Sequence, residues 1–268
     1  MAHSFNSKHI TMFTRRCRGM TDFFFQKEVA EKYEAYNDIL EQLLGYQFVF
    51  THFDKDERQT ILDFGCGPGK IATRFAELFS ATVIAVDQSA EMIQLASKKH
   101  DHKNVHYRLV KDPKLAFLDD NSIDGAFSCF VFITIGDEAV LNHILREVYR
   151  VLKPGAPFVL LDTNPNSTGH VFSTCRIGEK GKTYKRGDII QKELRWGGNQ
   201  LLIEDYHWPE KTYETLLVNN GFVEIETQQP TLQSVPAKTI QRVEDEYGLK
   251  WKDEKTIPPF ILFKGIKG

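Results

Sequence analysis

The sequence is poor in cysteine and nearly neutral in charge. Its 268 residues include only four cysteines, which lie far apart, at Cys17, Cys66, Cys129 and Cys175. This spacing suggests neither a disulfide framework nor a zinc site, so a reducing compartment fits best. A formal net charge of -2 argues against a protein that holds nucleic acid by charge alone. A small or neutral ligand is therefore the easier expectation.

Long hydrophobic runs are also absent. No uninterrupted apolar run approaches the ~18 residues that a membrane-spanning helix needs, and the beginning of the chain lacks a signal-peptide core. We therefore expect a soluble, cytoplasmic protein without membrane contacts. Residues 1–21 contain no acid but four Lys or Arg residues among serines and threonines. This segment weakly resembles an organelle transit peptide, and a frayed or substrate-covering arm is the alternative.

Hydrophobic residues make up 41% of the chain, which is ample for a full core. Residues 22–45 have a helical period and predict an N-terminal helix. From residue 61 to residue 162, short apolar strands alternate with amphipathic helices. This alternation predicts a parallel sheet with helices on both faces. Beyond residue 165 the pattern becomes strand-like around "GGN", which predicts a β-hairpin.

Three glycines stand at alternate positions in "ILDFGCGPGK", residues 61–70, directly after a buried strand. Glycine permits a tight turn and lets a ligand approach the backbone. A phosphate-binding P-loop would need glycine at Phe64 and Ser or Thr at Ile71, so that interpretation fails. A dinucleotide fingerprint would place its third glycine at Lys70 rather than Gly69, which weakens it without excluding it.

Asp87 ends the next predicted strand, "TVIAVD". A carboxylate at that position can accept hydrogen bonds from both hydroxyls of a ribose. The alternatives are a polar strand end or the cap of the next helix, although Ser89 can supply that cap instead. The glycines and Asp87 together favour a ligand that contains a ribose.

Four stretches together resemble the successive motifs of class I S-adenosylmethionine-dependent methyltransferases of the small-molecule type. They are "ILDFGCGPGK", "VIAVDQSAEMI", "DDNSIDGAFSCFVF" and "LREVYRVLKPGAPFVL", in the family's order and spacing. The resemblance covers roughly residues 57–165. It implies an α/β Rossmann-like, doubly wound, seven-stranded and mostly parallel sheet with an antiparallel strand at the end. "FVEIETQQ" and "FILFKG" would supply the closing strands.

The resemblance also implies a division of the chain. Residues 1–56 would form an N-terminal arm and helical cover, and residues 57–165 the cofactor-binding core. Residues 166–208 would form a hairpin lid over the substrate, and residues 209–268 the C-terminal helix and closing strands.

By the same resemblance the cofactor is S-adenosyl-L-methionine. The residues that would bind it are Asp63, Gly65, Cys66, Gly67, Gly69, Asp87, Gln88, Met92, Asp112 and Phe130. Asp87 would hold the ribose, and Phe130 would offer its backbone to the methionine amino group. Asp112 matches the family acid that bonds the adenine amino group, but the following Pro113 has no N–H to offer adenine.

The expected reaction is methyl transfer to O or N of a small-molecule acceptor, without a metal, by in-line alignment. Tyr33 and Tyr36 on the N-terminal helix, and Tyr206 and Trp208 of "EDYHW", are the candidate substrate residues. His207 is the candidate catalytic base, because its ordinary pKa of ~6.5 suits proton removal near neutrality.

Three other functions stay open. A protein or RNA methyltransferase would use the basic hairpin residues Lys182, Lys185 and Arg186 as its contact. A catalytically idle cofactor-binding domain would regulate a partner. A dinucleotide-dependent oxidoreductase is the most distant alternative. The sequence does not indicate an oligomeric state.

The glycine spacing gives a direct test. S-adenosylmethionine should bind and NAD should not, because the third glycine comes too early for a pyrophosphate turn. Calorimetry with both ligands measures this, and tighter binding of NAD would contradict the family assignment.

Overall fold

The structure, a computed structural model, describes residues 22–54 and 59–268. The strands in this part of the chain are β1 (Thr60–Phe64), β2 (Thr82–Asp87), β3 (Val105–Leu109), β4 (Gly125–Cys129), β5 (Pro157–Thr163), β6 (Cys175–Ile177), β7 (Ile189–Trp196), β8 (Asn199–Tyr206), β9 (Phe222–Gln228) and β10 (Phe260–Lys267). Seven of them form one sheet in the order β3-β2-β1-β4-β5-β10-β9, and β6, β7 and β8 form a second, smaller sheet.

Strands β1 to β5 of the large sheet are parallel, whereas β10 is antiparallel to both of its neighbours, β5 and β9. The predicted seven-stranded fold with an antiparallel closing strand is therefore confirmed. From β1 the chain builds outward to β2 and β3 on one side, and then to β4 and β5 on the other. The strand order thus reverses between β1 and β4, and open α/β sheets bind ligands outside the carboxyl ends of the strands at such a point.

The helices in the described residues are α1 (Lys27–Ala35), α2 (Ile39–Glu41), α3 (Gln47–Phe50), α4 (Lys70–Leu78), α5 (Ala90–Lys99), α6 (Glu138–Val151), α7 (Glu210–Asn219) and α8 (Ala237–Tyr247). A π-helical turn, Gln42–Tyr46, joins α2 to α3. Short 3-10 turns lie at Asp22–Phe25, Phe132–Thr134, Pro165–Ser167, Leu232–Ser234 and Asp253–Lys255. The sequence patterns predicted most of the long helices but gave no indication of α8.

Successive side chains of the central strands enter opposite layers of the core. Ile61 packs in a cluster with residues of α2, α3 and α4, whereas its neighbour Leu62 packs in a second cluster with residues of α6 and α7. The same alternation separates Phe127 from Ala126 on β4. Because both faces are buried, these strands appear in the sequence as nearly continuous apolar runs.

The small sheet is the predicted hairpin with one added strand. Gly197 and Gly198 form its tight turn with φ angles of 49° and 81°, which favour glycine. Its buried side chains, including Ile190, Leu194 and Ile203, belong to the same apolar cluster as residues of α2 and α3. The small sheet therefore shares a core with the large one.

The predicted single N-terminal helix is wrong, because the structure breaks it. Helix α1 ends at Ala35, Tyr36 has extended backbone angles, and α2 begins only at Ile39. The Asn37 side chain accepts a hydrogen bond from the Ile39 N–H, which competes with helical continuation. The apolar period alone could not reveal this break.

An ion pair fixes the corner between α1 and α2. Both carboxylate oxygens of Asp38 accept hydrogen bonds from the Arg74 guanidinium of α4, at 2.6 and 2.9 Å. Burial opposes ionisation of Asp38, but the hydrogen bond and charge of Arg74 hold its pKa below the usual value. The pair therefore ties the N-terminal segment to the helix that follows the glycines.

No helix in the described residues is long and apolar enough to cross a membrane. The proposed targeting segment or arm, residues 1–21, lies outside the residues that the structure describes.

Removing Arg74 tests the importance of this corner. Arg74→Met should lower the free energy of unfolding by about 2 kcal/mol at pH 7, since the largely buried Asp38 carboxylate loses its guanidinium partner but keeps the hydrogen bond from Gln42. Arg146→Met, a matched change at an exposed residue of α6, should have little effect. Because the pKa of Asp38 is lowered in the fold, the pair's contribution should be present at neutral pH and vanish as the pH falls below ~4. Urea unfolding of both variants and the wild type, at pH 7 and below pH ~4, measures this contribution.

Candidate active site

The glycine loop between β1 and α4 has a left-handed backbone at all three glycines. The φ angles are 81° at Gly65, 51° at Gly67 and 89° at Gly69. A Cβ on Gly65 would overlap Val131, and one on Gly69 would overlap Tyr107 and Ala96. A Cβ on Gly67 would meet nothing within 4 Å. Gly65 and Gly69 thus permit close approach between parts of the protein, while Gly67 presents bare backbone to open space.

Asp87 holds the loop from the end of β2. One of its carboxylate oxygens accepts a hydrogen bond from the Gly67 N–H at 2.8 Å, and the other accepts one from the Ser89 N–H at 2.8 Å. Burial raises the pKa of Asp87, and these backbone hydrogen bonds oppose that rise. Ser89, whose hydroxyl accepts from the Met92 N–H, caps α5. Asp87 is therefore a loop anchor as well as a half-buried acid facing a cleft.

Two adjoining pockets open at this point. The first, which we call the loop pocket, encloses about 740 Å³ including its open mouth. The second, the lid pocket, encloses about 600 Å³ and extends from the loop toward β7. Tyr33, Gly65, Gly67, Cys129 and Phe130 line both pockets. The two spaces are therefore adjacent parts of one site at the carboxyl ends of β1 and β4.

Phe130 marks the boundary between the pockets. It follows β4 with a φ of 59°, a left-handed conformation that an aromatic residue rarely adopts. The hydrogen bond from its N–H to the Leu161 carbonyl, at 2.7 Å, and an edge-on contact of its ring with Phe260 hold it there. Backbone strain of this kind clusters at functional sites.

Asp63 lines the lid pocket, and one of its carboxyl oxygens lacks a hydrogen-bond partner among the described residues. The residue is 2% exposed, and this oxygen is its buried Oδ2. Burial, followed by the nearby Asp87 charge, raises the pKa of Asp63 well above its usual value. An acid in this position can accept a hydrogen bond from a positively charged group of a ligand.

Residues 61–155 match the family described as "Methyltransferase domain". N-demethylindolmycin N-methyltransferase of Streptomyces griseus is 40% identical over 187 residues, which cover 68% of this chain and 79% of that one. The ubiquinone/menaquinone biosynthesis C-methyltransferase UbiE of Blochmanniella floridana is 25% identical over 74% of this chain and 80% of its own. A SAM-dependent methyltransferase structure from Mesorhizobium loti has a TM-score of 0.58, at 17% identity, and covers 85% of this chain and 100% of that one.

The chain is a class I S-adenosylmethionine-dependent methyltransferase. S-adenosylmethionine is its cofactor, and the site fits this molecule in two respects. The unsatisfied Asp63 oxygen suits the methionine ammonium, and the open backbone at Gly67 allows close contact. Asp63 lines the lid pocket, and Gly67 lines both pockets.

The structure brings most of the predicted cofactor residues of the methyltransferase together. Gly65, Gly67, Asp87, Gln88, Met92 and Phe130 line the loop pocket, and Asp63 and Cys66 line the lid pocket. Gly69 lies outside both, at the start of α4. Asp112 is exposed and also lies outside both, where it accepts a hydrogen bond from the Lys114 N–H at 2.8 Å. The structure therefore gives Asp112 a local turn contact in place of the predicted pocket position.

The candidate substrate residues separate into two groups. Tyr33 and Tyr36 line the lid pocket. Tyr206, His207 and Trp208 instead line a third, smaller pocket beneath the other end of the small sheet. Trp208 is 4% exposed and donates its indole N–H to the Ile135 carbonyl at 3.0 Å, so it ties the small sheet to the turn after β4.

The structure does not bring His207 to the glycine loop. His207 lines neither pocket at the glycine loop. Its backbone N–H bonds to Asp188, its carbonyl accepts from Gly187, and its ring lies 5.9 Å from that of Tyr184. The backbone pairing of His207 with Gly187 and Asp188 continues the β7–β8 ladder beyond Tyr206 and places His207 at the third pocket.

Other lining residues were not identified from the sequence. Phe24 and Phe25, from the 3-10 turn before α1, border the loop pocket. Glu41 and Tyr46 from the π-turn region, and Lys192 from β7, border the lid pocket. The only available signals were the aromatic run "DFFF" and a charged residue at a buried alternate position of a strand.

Asp87→Ala should weaken binding of S-adenosylhomocysteine by roughly 2 to 4 kcal/mol, because two ribose hydroxyls would lose their acceptor and the loop its anchor. Asp119→Ala, a matched change at an exposed acid outside both pockets, is the control and should leave the affinity unchanged. Calorimetry measures both. Unchanged affinity in Asp87→Ala would reduce Asp87 to a structural anchor.

Proposed function

We propose that the enzyme methylates a nitrogen atom of a small-molecule amine, and that Glu41 receives the proton from that nitrogen. The observation that carries this proposal is the position of Glu41. It is a buried carboxyl group, 3% exposed, that lines the lid pocket together with the glycine loop.

The surroundings of Glu41 suit a base that works near neutral pH. The Tyr36 hydroxyl lies 3.0 and 3.1 Å from its two carboxylate oxygens and donates to them. Burial raises the pKa of Glu41 to about 7, although the charge of Lys192 partly opposes this rise. A base whose pKa is near the working pH combines sufficient basicity with the correct protonation state.

When bound, S-adenosylmethionine supplies an electrophilic methyl group on a sulfonium. The nitrogen of the acceptor contributes the electron pair of the new N–C bond as the S–C bond breaks, and its proton passes to Glu41. Tyr33, Tyr36 and Tyr46 surround the same space with aromatic rings, which favour positively charged groups. Alignment of the two substrates by these walls can supply up to roughly 7 to 11 kcal/mol in favourable systems.

The proposal needs no metal. Among the described residues, no group of three or more His, Cys, Asp or Glu side chains could hold a metal ion. The cofactor contacts proposed are those of Asp63, Gly65, Cys66, Gly67, Asp87, Gln88, Met92 and Phe130, which line the two pockets.

We also propose that residues 166–208 act as a lid over the acceptor, with residues 57–165 as the cofactor-binding core. Lys192 and Leu194 of β7 are far from the glycine loop in sequence, but they line the same lid pocket as Gly65 and Gly67. The N-terminal cover, residues 1–56, contributes Glu41 and the tyrosines. The closing strands fall in residues 209–268.

The relatives support methyl transfer more strongly than any particular acceptor atom. The Streptomyces griseus relative is named as an N-methyltransferase, and UbiE as a C-methyltransferase. We choose nitrogen because the relative with the higher identity is an N-methyltransferase and because a buried acid borders the pocket. An O-methylated product would contradict this choice without affecting the family assignment.

A polymer acceptor is less well supported. Lys182 pairs with Glu179 at 2.9 Å, and Arg186 pairs with Glu138. Two of the three basic residues that would contact RNA are therefore already partly neutralised within the protein.

The proposed base predicts a specific pH profile. Activity should rise with pH through about 7 as Glu41 loses its proton, and Glu41→Gln should lower kcat by about 10²-fold or more. Tyr36→Phe removes the hydroxyl that stabilises the ionised carboxylate. It should raise the pKa of Glu41 and shift the rising part of the profile to higher pH.

Glu31→Gln, a matched change at an exposed residue of α1, should leave both kcat and the profile unchanged. A rise caused by titration of the acceptor amine would persist in Glu41→Gln. If Glu41→Gln retained full kcat and the same profile, Glu41 would not be the base.

A further inference from the structure

Lys192 occupies a position that the strand pattern reserves for apolar side chains. Strand β7 alternates buried and more exposed residues, and Ile190, Lys192 and Leu194 are its buried ones. Ile190 and Leu194 belong to the apolar core cluster. Lys192 is only 5% exposed, yet it borders the lid pocket. A buried lysine is rare unless it is paired.

The ammonium of Lys192 forms no hydrogen bond and no ion pair of ordinary length with any other described residue. It lies 4.7 Å from the ring centre of Phe130 and 5.8 Å from that of Phe260. These aromatic faces attract a cation but use none of its N–H donors in conventional hydrogen bonds. The donors of Lys192 therefore remain available on the pocket side.

Three buried acids, Glu41, Asp162 and Asp205, lie near this ammonium without forming an ion pair of ordinary length with it. Burial raises the pKa of Glu41 and of Asp205 to about 7 each, and in both cases the charge of Lys192 opposes the rise. All three acids are close enough for the charge of Lys192 to lower their pKa, but they lie beyond ion-pair distance.

Lys192 thus lies in the same pocket as the proposed base, Glu41. The other lysine that lines this pocket, Lys70, already donates a hydrogen bond to the Tyr36 carbonyl. Among the described lining residues, a negatively charged oxygen in the pocket would therefore find no free cation other than Lys192.

We propose that Lys192 recognises an anionic oxygen of the methyl acceptor, so that the acceptor is a small amine that also carries a carboxylate or an equivalent anionic oxygen. This proposal rests on the proposed function. Glu41 faces the nitrogen that is methylated, and Lys192 sets the specificity for the anionic end. Burying an ammonium and an acid in one pocket matches a ligand that carries both charges.

Stability alone does not account for Lys192. Because the Lys192 ammonium makes no hydrogen bond or ion pair of ordinary length with another described residue, methionine of similar length would break no such contact and would remove the cost of burying an ammonium. Methionine would also continue the apolar row of β7. Lys192→Met should therefore retain or raise the Tm. A lysine that served only the fold would lower it when replaced.

The test uses the full-length protein loaded with S-adenosylhomocysteine and two pairs of probes that differ only in charge: L-phenylalanine with its amide, and phenylacetate with phenylacetamide. Calorimetry should show that the wild-type protein binds the carboxylate of at least one pair more tightly than the amide by about tenfold or more. Lys192→Met should abolish the preference, and Lys192→Arg should retain part of it. Lys185→Met, which removes an exposed lysine of the loop before β7, should retain it fully.

Equal affinity for both members of each pair, no binding of either carboxylate, or a preference that survives Lys192→Met would overturn the proposal. Loss of S-adenosylhomocysteine affinity in Lys192→Met, without a probe preference in the wild type, would assign the lysine to the cofactor and also overturn it. Each of these outcomes leaves the proposed function intact if the wild-type protein binds S-adenosylhomocysteine. Absence of that binding would contradict the proposed function itself.

Discussion

The carboxylate of Asp87 accepts hydrogen bonds from the Gly67 and Ser89 N–H groups, and the geometry of the site depends on this contact. It joins the end of β2 to the loop that follows β1, at the edge of the sheet where the strand order reverses. The loop needs left-handed glycines to stay this close to its neighbours, since a side chain at Gly65 would overlap Val131. One acid thus holds in place the loop whose bare backbone at Gly67 faces open space.

Local patterns determined much of the fold and could be recognised in the sequence. The stretch "TVIAVD" coincides with β2, and the apolar stripe from Leu141 to Leu152 coincides with most of α6. Both elements bury the residues that their own periodicity indicates. The break at Tyr36 was missed because it depends on a side-chain hydrogen bond from Asn37 and on an ion pair with Arg74, 36 positions away from Asp38. Such distant contacts leave no local period.

The residues of the site also fall into two groups, those that local sequence motifs reveal and those that distant segments contribute. Six residues that line the loop pocket follow one another within a few motifs, and these were identified: Gly65, Gly67, Asp87, Gln88, Met92 and Phe130. The lid pocket draws on separate segments, so Glu41 and Lys192 were not. A signal was nevertheless present: in "IIQKELRW" the lysine falls on the apolar side of the alternation, and in "LLIEDY" Asp205 does the same. A charge at a position where the pattern calls for an apolar residue is a better guide than a histidine in an aromatic run, as the position of His207 shows.

The inner face of the small sheet carries charged side chains at buried positions, and covering the large sheet does not require them. An entirely apolar inner face on β7 and β8 would cover the sheet at lower free-energy cost, since Lys192 and Asp205 are almost fully removed from water. The neighbouring tyrosines and phenylalanines reduce the local dielectric and so strengthen the field of each charge in the lid pocket. The same dryness that penalises these groups also raises the basicity of Glu41 and keeps water from competing for the methyl group. In this proposed mechanism, the unfavourable burial of Glu41 and Lys192 and their usefulness to the reaction have a single physical cause.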